Sequence, residues 1–268
     1  MASTSTSKLS SLLSASSITD HEEILRTADG VLKISKNSQD ALHTRVVALL
    51  KLDRFDDALQ AIDEGDHNLN QRCVLEKAYA LYKTGKLEEA AKVVKDADIS
   101  GSRGLKHVAA QLAYRAEKFE DTARIYKELS VQEFVIDGEW NDLRINSSAT
   151  DAQLEWQGNG DKVDPARKKP RKDDLEAFEI AYNSACACIA RGDLGPGSVL
   201  LGRAKALCET LDELTDEEKK AEVLPIMIQQ AYVFIRMGKH DKSRDLLEII
   251  NIAEYVFTAF TNIYANYI

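Results

Sequence analysis

The chain has 268 residues, 44% of them hydrophobic, with only 4 prolines and 13 glycines. That is enough apolar content for a sizeable core and too few breakers for a β-rich or disordered chain. Its formal charge of −9 argues against non-specific nucleic-acid binding, which needs clustered Lys and Arg. It fits a basic protein partner, or simply an acidic solvated surface.

In chain order, Met1 to Asp20 is rich in Ser and Thr, with Leu9, Leu12 and Leu13 as its main apolar residues. It lacks the charged lead and continuous apolar stretch of a secretory signal. No window reaches the apolar length of a membrane span, so a soluble, intracellular chain without membrane insertion is expected. Glu22 to Ile34 reads as the second helix of a helical hairpin, with Ile24, Ala28 and Val31 facing inward and a first helix drawn from Lys8 to Ser17.

Three segments then superimpose at a step of 32 residues. Small residues recur at Val46, Ala78 and Ala110, and again at Ala58, Ala90 and Thr122. Larger ones recur at Phe55, Leu87 and Phe119, and at Ile62, Val94 and Tyr126. Small residues suit points where two helices approach closely, and a fixed period of this length marks a solenoid of stacked helical hairpins. Gly85 suits the left-handed turn that ends a first helix. Asp53 and Glu117 hold that position in the neighbouring copies, a weaker turn chemistry.

Between Ser130 and Lys172 the register is lost. Glu139 to Trp156 reads as one further first helix, with Asn146 and Ser148 where Asn183 and Ala185 stand later. No second helix is evident after it; Gly158-Asn159-Gly160 and the proline- and Lys/Arg-bearing stretch to Asp174 read as a mobile loop. Leu175 to Cys208 restores a repeat with Ala185, Cys188, Gly192, Leu201 and Ala204, in which Gly197 replaces the expected Ala. Val223 to Ile250 gives another, with Ala231, Phe234, Gly238, Ser243 and Leu247. Ile252 to Ile268 is apolar around most of its circumference, and either caps the stack, packs on another chain or belongs to something longer. The fold class is therefore all-α, a tetratricopeptide-type right-handed superhelix of antiparallel helix pairs with an irregular insertion near 130–173. Its segments are 1–20 (flexible or weakly helical), 21–130 (repeats), 131–173 (degenerate repeat and basic loop), 174–250 (repeats) and 251–268 (terminal helix).

Hairpins of this type line a concave groove with their first helices. Register places His43, Val47 and Leu50 there, then Leu75, Tyr79 and Tyr82, then His107, Gln111 and Tyr114. Tyr182, Cys186 and Ile189 follow, then Ile228, Tyr232 and Ile235. An aromatic and apolar groove suits an amphipathic helix or an extended peptide. Grooves that hold a C-terminal carboxylate use Lys and Asn at fixed positions, which here read His43/Val47, Leu75/Tyr79 and His107/Gln111; that clamp is absent. The cluster Arg167, Lys168, Lys169, Arg171 and Lys172 is a nuclear-import address, an RNA contact or, by default, a solvated loop. The five histidines show no metal-ligand spacing, and His43 and His107 share a repeat position. Cys73, Cys186, Cys188 and Cys208 form no CxxC pair and read as free thiols in helices. There is no phosphate loop, nucleophile elbow or HExxH. The chain reads as a binding scaffold without cofactor or metal, not an enzyme.

Leu75-Glu76-Lys77-Ala78-Tyr79, then Tyr82 and Gly85-Lys86-Leu87-Glu88-Glu89-Ala90, resembles the N-terminal tetratricopeptide domain of the 72-kDa subunit family of the signal recognition particle. So do Tyr182-Asn183-Ser184-Ala185-Cys186 with Gly192, Ala204 to Cys208, Ala41-Leu42-His43 with Val46-Val47, and Gln229-Gln230-Ala231-Tyr232 before Gly238. The proline that often closes each repeat is replaced by Asn70, Ser102 and Phe134. The resemblance implies a groove that receives the C-terminal region of the 68-kDa subunit and a role in protein targeting to the endoplasmic reticulum. It implies particle RNA contact only indirectly or through a basic segment beyond this chain, and a cytoplasmic location with nuclear or nucleolar passage during assembly. A generic adaptor of another complex, and a self-associating module that is a homodimer without its partner, stand as the alternatives.

Overall fold

The computed structural model describes residues 20–131, 139–169 and 176–250. Among them the chain is all-α and carries thirteen α-helices and no strand. It divides into two compact units, Met1–Leu112 and Ala113–Ile268. The architecture is a tetratricopeptide-like helical repeat. The first unit holds α1 (His21–Ile34), α2 (Gln39–Lys51), α3 (Phe55–Asp63), α4 (His67–Arg72), α5 (Val74–Lys83) and α6 (Leu87–Asp96), and the division falls inside α7 (Arg103–Arg115). The second unit continues with α8 (Phe119–Val131), α9 (Glu139–Trp156), α10 (Phe178–Ala190), α11 (Leu194–Glu209), α12 (Asp216–Arg236) and α13 (His240–Ile250). Lys8 to Ser17 and Ile252 to Ile268 lie outside the described residues.

The first helices end in one recurring device. Gly85, Gly192 and Gly238 have φ of 77°, 85° and 71°, and Asp53 and Glu117 adopt the same left-handed conformation at 55° and 58°. In each case the next amide reaches back five residues: Lys86 N–H donates to Leu81 O, Arg54 to Leu49, Lys118 to Ala113, Asp193 to Cys188 and Lys239 to Phe234. This paired turn satisfies carbonyls that a helix end leaves open. Gly158 (φ 79°) ends α9 in the same way, with Asn159 donating to Leu154.

Seven residues before each turn lies the small position of the first helix, and five after it that of the second. Val46 and Ala58, Ala78 and Ala90, and Ala110 and Thr122 are all fully buried. Later, Ala185 is buried with Gly197, and Ala231 with Ser243. A Cβ on Gly197 would stand 2.9 Å from Ile189 Cγ1 and 3.4 Å from Ala185 O, which explains glycine where Ala is usual. Ser243 Oγ donates to Ala231 O at 3.2 Å across the same crossing.

Two sequence expectations need correction here. On α1 the residue that buries is Leu25, with Ala28 and Val31, while Ile24 packs at the edge of the core. On α9, counting back from Gly158 puts Ala149 and Asp151 where Asn183 and Ala185 stand; Asn146 and Ser148 are three residues too early. The early register followed side-chain likeness, whereas the turn fixes the true one.

The turn positions separate backbone cost from packing, because a Cβ on Gly85 meets nothing within 4 Å. Gly85→Ala should therefore lose about 1 kcal/mol through its positive φ alone, and Asp53→Gly and Glu117→Gly should each gain up to about 1 kcal/mol. Urea unfolding of the three variants gives the comparison, and a Glu117→Gly variant less stable than the parent would contradict it.

Candidate binding site

In the first unit the proposed groove residues come from α2, α5 and α7, and several are tied to one another. His43 Nε2 is hydrogen-bonded to Glu76 Oε1 at 2.9 Å, joining α2 to α5. Tyr82 OH donates to Gln111 Oε1 at 3.2 Å, joining α5 to α7. Tyr79 is 38% exposed, the most open of the groove tyrosines, and its ring meets Phe55 edge-on at 6.1 Å. Val47, Leu75 and His107 are half-buried. Leu75 fills the space over Gly104, where a Cβ would come within 2.7 Å of its Cδ2.

In the second unit the first helices α9, α10 and α12 together line a cavity of about 320 Å³ with Ala152, Gln153, Trp156, Tyr182, Cys186, Ile189, Pro225, Ile228 and Gln229. Its walls are predominantly apolar, as a peptide-binding groove needs. Tyr182 is buried in its wall, and Trp156 is 63% exposed at its edge. Tyr114 stacks edge-on against Phe119 at 5.2 Å, and burial raises its phenol pKa against a hydrogen bond with Gln153. Tyr232 is half-buried and carries Arg236 over its ring at 5.6 Å. Sequence reasoning missed Gln153, Trp156 and Pro225, since they stand on a helix whose register it misread or break the helical pattern. The Tyr-Asn-x-Ala-Cys stretch acquires a role here: Asn183 Nδ2 donates to Ser148 Oγ at 3.0 Å and fixes α10 against α9.

All four cysteines are free. Burial pushes the Cys73 thiol up to about 11 and the Cys186 thiol up to about 12, and raises Cys188 and Cys208 as well. These thiols are protonated at neutral pH and poor nucleophiles.

The repeat built on α9 has no second helix among the described residues. Its place is taken by a 3-10 turn, Gly160–Lys162, and an irregular strand of chain. Pro165 supplies no N–H and disfavours helix in the residue before it, and Asp164 instead accepts the Ala166 amide at 2.9 Å. Val163, five residues past the turn, still occupies the small position and packs on Phe119 and Leu154. Arg167, nine past the turn, occupies the position of Ile62 and Val94. It forms a two-pronged ion pair with Asp151, at 2.7 and 3.0 Å. Thus one crossing uses Asp151 and Arg167 where its relatives use small and large apolar residues; Arg167 stays exposed, as the basic cluster reads, but is tied down by this pair. Helices α9 and α10 and this segment, with Ser130 of α8, line a second cavity of about 260 Å³. On its wall Arg191 donates to the buried Glu155 at 2.9 Å.

A family model, SRP_TPR_like, described as a TPR-like repeat, matches residues 17–153. The chain belongs to this family. It is also 31% identical over 236 residues to the signal recognition particle subunit SRP72 of Homo sapiens and to that of Canis lupus familiaris. Each alignment covers 85% of this chain and 33% of the relative, so the chain spans about a third of their length. The family match contains His43, Val47, Leu75, Tyr79, Tyr82, His107, Gln111 and Tyr114, and ends inside α9 two residues after Asp151. Tyr182 and Tyr232 lie beyond it.

Burial dominates Asp151 and raises its carboxyl pKa despite the opposing pull of Arg167. A carboxyl whose folded pKa lies above its unfolded value binds its proton more tightly when folded. Its charged form therefore costs stability at neutral pH, and that cost fades as pH falls through the raised value toward 3.8. Arg167→Ala, which strands the charge, should lose roughly 1–3 kcal/mol at pH 7 and less near pH 4. Asp151→Ala with Arg167→Leu, which restores the apolar crossing, should be within about 1 kcal/mol of the parent or more stable. Urea unfolding at the two pH values decides; a double variant weaker than Arg167→Ala would refute this account.

Proposed function

We propose that this chain is a protein-binding scaffold of the signal recognition particle, whose first-helix groove receives the C-terminal region of the 68-kDa subunit. It thereby supports co-translational targeting of proteins to the endoplasmic reticulum. The observation that carries the reading is the family match, with 31% identity to SRP72 over 85% of the chain. The apolar cavity lined by three successive first helices supplies a surface of the right chemistry. On this reading the chain is not an enzyme and works in the cytoplasm, with nuclear or nucleolar passage during assembly. Particle RNA is reached only indirectly or through segments outside this chain. No helix among the described residues is long and apolar enough to cross a membrane.

Isothermal titration with the C-terminal region of the 68-kDa subunit should give one-to-one binding. Tyr79→Glu combined with Tyr82→Glu should weaken it by about thirtyfold or more, as expected for hot-spot aromatics, while helicity by circular dichroism is kept. Raising salt should alter the affinity little, because only exposed rim charges are screened over about 8–10 Å. Absence of binding would remove the assembly reading, and full affinity in the double variant would remove the groove assignment.

A further inference from the structure

One interface in the first unit is polar where its counterpart is apolar. His43 on α2, Cys73 at the break between α4 and α5, and Glu76 on α5 bring their imidazole nitrogen, thiol sulfur and carboxylate oxygen within 4.8 Å of one another. Stepping 32 residues along the repeat gives Leu75, Leu105 and Val108, which pack together in one hydrophobic cluster. The crossing therefore needs no polar group for its own sake. Where the next repeat has an apolar trio, this one carries the nitrogen, sulfur and oxygen donors that borderline divalent cations take.

The three groups do not satisfy one another. Glu76 Oε1 is held by His43 at 2.9 Å, but Glu76 Oε2 is buried without a hydrogen-bond partner. A buried carboxylate oxygen left unpaired is costly. Cys73 is fully buried beside it, at the non-helical residue (φ −97°, ψ 26°) between α4 and α5. The His43 side chain is 26% exposed and opens the cluster to solvent, which gives an entry path.

We infer that His43, Cys73 and Glu76 form a binding site for a zinc-like divalent cation, with a water or a partner's side chain as fourth ligand. Ligands on tetrahedral zinc at about 2.0–2.3 Å stand roughly 3.3–3.8 Å apart, so the trio closes on an ion through small side-chain movements. The cation would replace the thiol proton and give the orphaned carboxylate oxygen its partner. Because α2 belongs to one hairpin and α5 to the next, it would also join two successive repeats.

The full chain, purified in reductant without chelator, is titrated with Co²⁺ and then Zn²⁺. The expected result is one equivalent of cobalt with a thiolate-to-metal charge-transfer band in the near ultraviolet, displaced by zinc. Cys73→Ser should abolish the band. His43→Leu and Glu76→Val should each weaken binding by more than the ~10–100-fold that follows loss of an outer-shell partner. A triple variant, His43→Leu, Cys73→Leu and Glu76→Val, copies the trio of the next repeat and so should fold while taking up no cobalt. Failure of the parent to take up either ion at micromolar concentration would overturn the assignment. So would a cobalt band that survives in the triple variant, which would place the metal on another set of residues.

Discussion

A helix that must fold straight back on its successor meets two demands at once. One residue at the bend needs positive φ, and the point where the helices cross leaves no room for a long side chain. The repeats among the described residues are arranged around that pair of demands. The bend sets the register, because the small position stands seven residues before it and five after. The small position in turn sets the groove, since residues three before it and one and four after it fall together on the adjoining face of the first helix, about 40–100° round from it. Five repeats meet the steric demand with Ala, Val, Gly, Ser or Thr, and three meet the conformational one with glycine. Asp53 and Glu117 accept the left-handed conformation without glycine, which shows that the hydrogen bonds of the turn outweigh a local penalty of about 1 kcal/mol.

The α9 repeat shows what happens when the second helix is lost but the crossing is kept. Val163 still fills the close-approach position, so the loss of helix does not open the core. The large apolar position is filled by Arg167, and its partner across the crossing is Asp151. Arg167 answers the buried Asp151, whose charge alone would be stranded. The two-pronged pair joins the irregular segment to α9 at a defined place, at a site where burial raises the acid despite its partner. Asn183 with Ser148 and Arg191 with Glu155 add further polar fixings between α9 and α10. This part of the second unit is therefore held by directional contacts as well as by apolar area.

Much of the fold was legible because the 32-residue step repeats residue size, and size is what a helix crossing selects. The family resemblance was legible for the same reason, with Tyr-Asn-x-Ala-Cys adding a signature that generic repeats lack. Legibility failed where the governing feature is backbone geometry and not side-chain type. Asp53 and Glu117 looked like weak turns yet adopt the φ of their glycine counterparts. Gly158 was the true marker of the α9 register, but Asn146 resembled Asn183 and drew the alignment three residues off. Reading back seven from Gly158 would have found Asp151, and forward nine would have found Arg167. The trio of His43, Cys73 and Glu76 was invisible for another reason. His43 stands about a repeat before Cys73 and Glu76, so no local spacing motif holds all three, and only the stacking of α2 on α5 brings them together.

These polar fixings bear on how the groove would bind a partner. Tyr82 with Gln111 and His43 with Glu76 spend their hydrogen-bonding groups on neighbouring first helices. In the first unit, what would remain for an incoming peptide is the surface of Tyr79 and its neighbours; in the second, it would be the apolar wall around Trp156 and Ile228. Recognition on such a surface depends on shape and apolar burial, so it discriminates by side-chain size more than by charge. The cross-links also hold the first helices of each unit in place before binding, which lowers the entropy lost on association. On the proposed reading, a scaffold of this kind would gain affinity from a pre-set wall, and its acidic surface would act mainly on the rate of encounter with a basic partner.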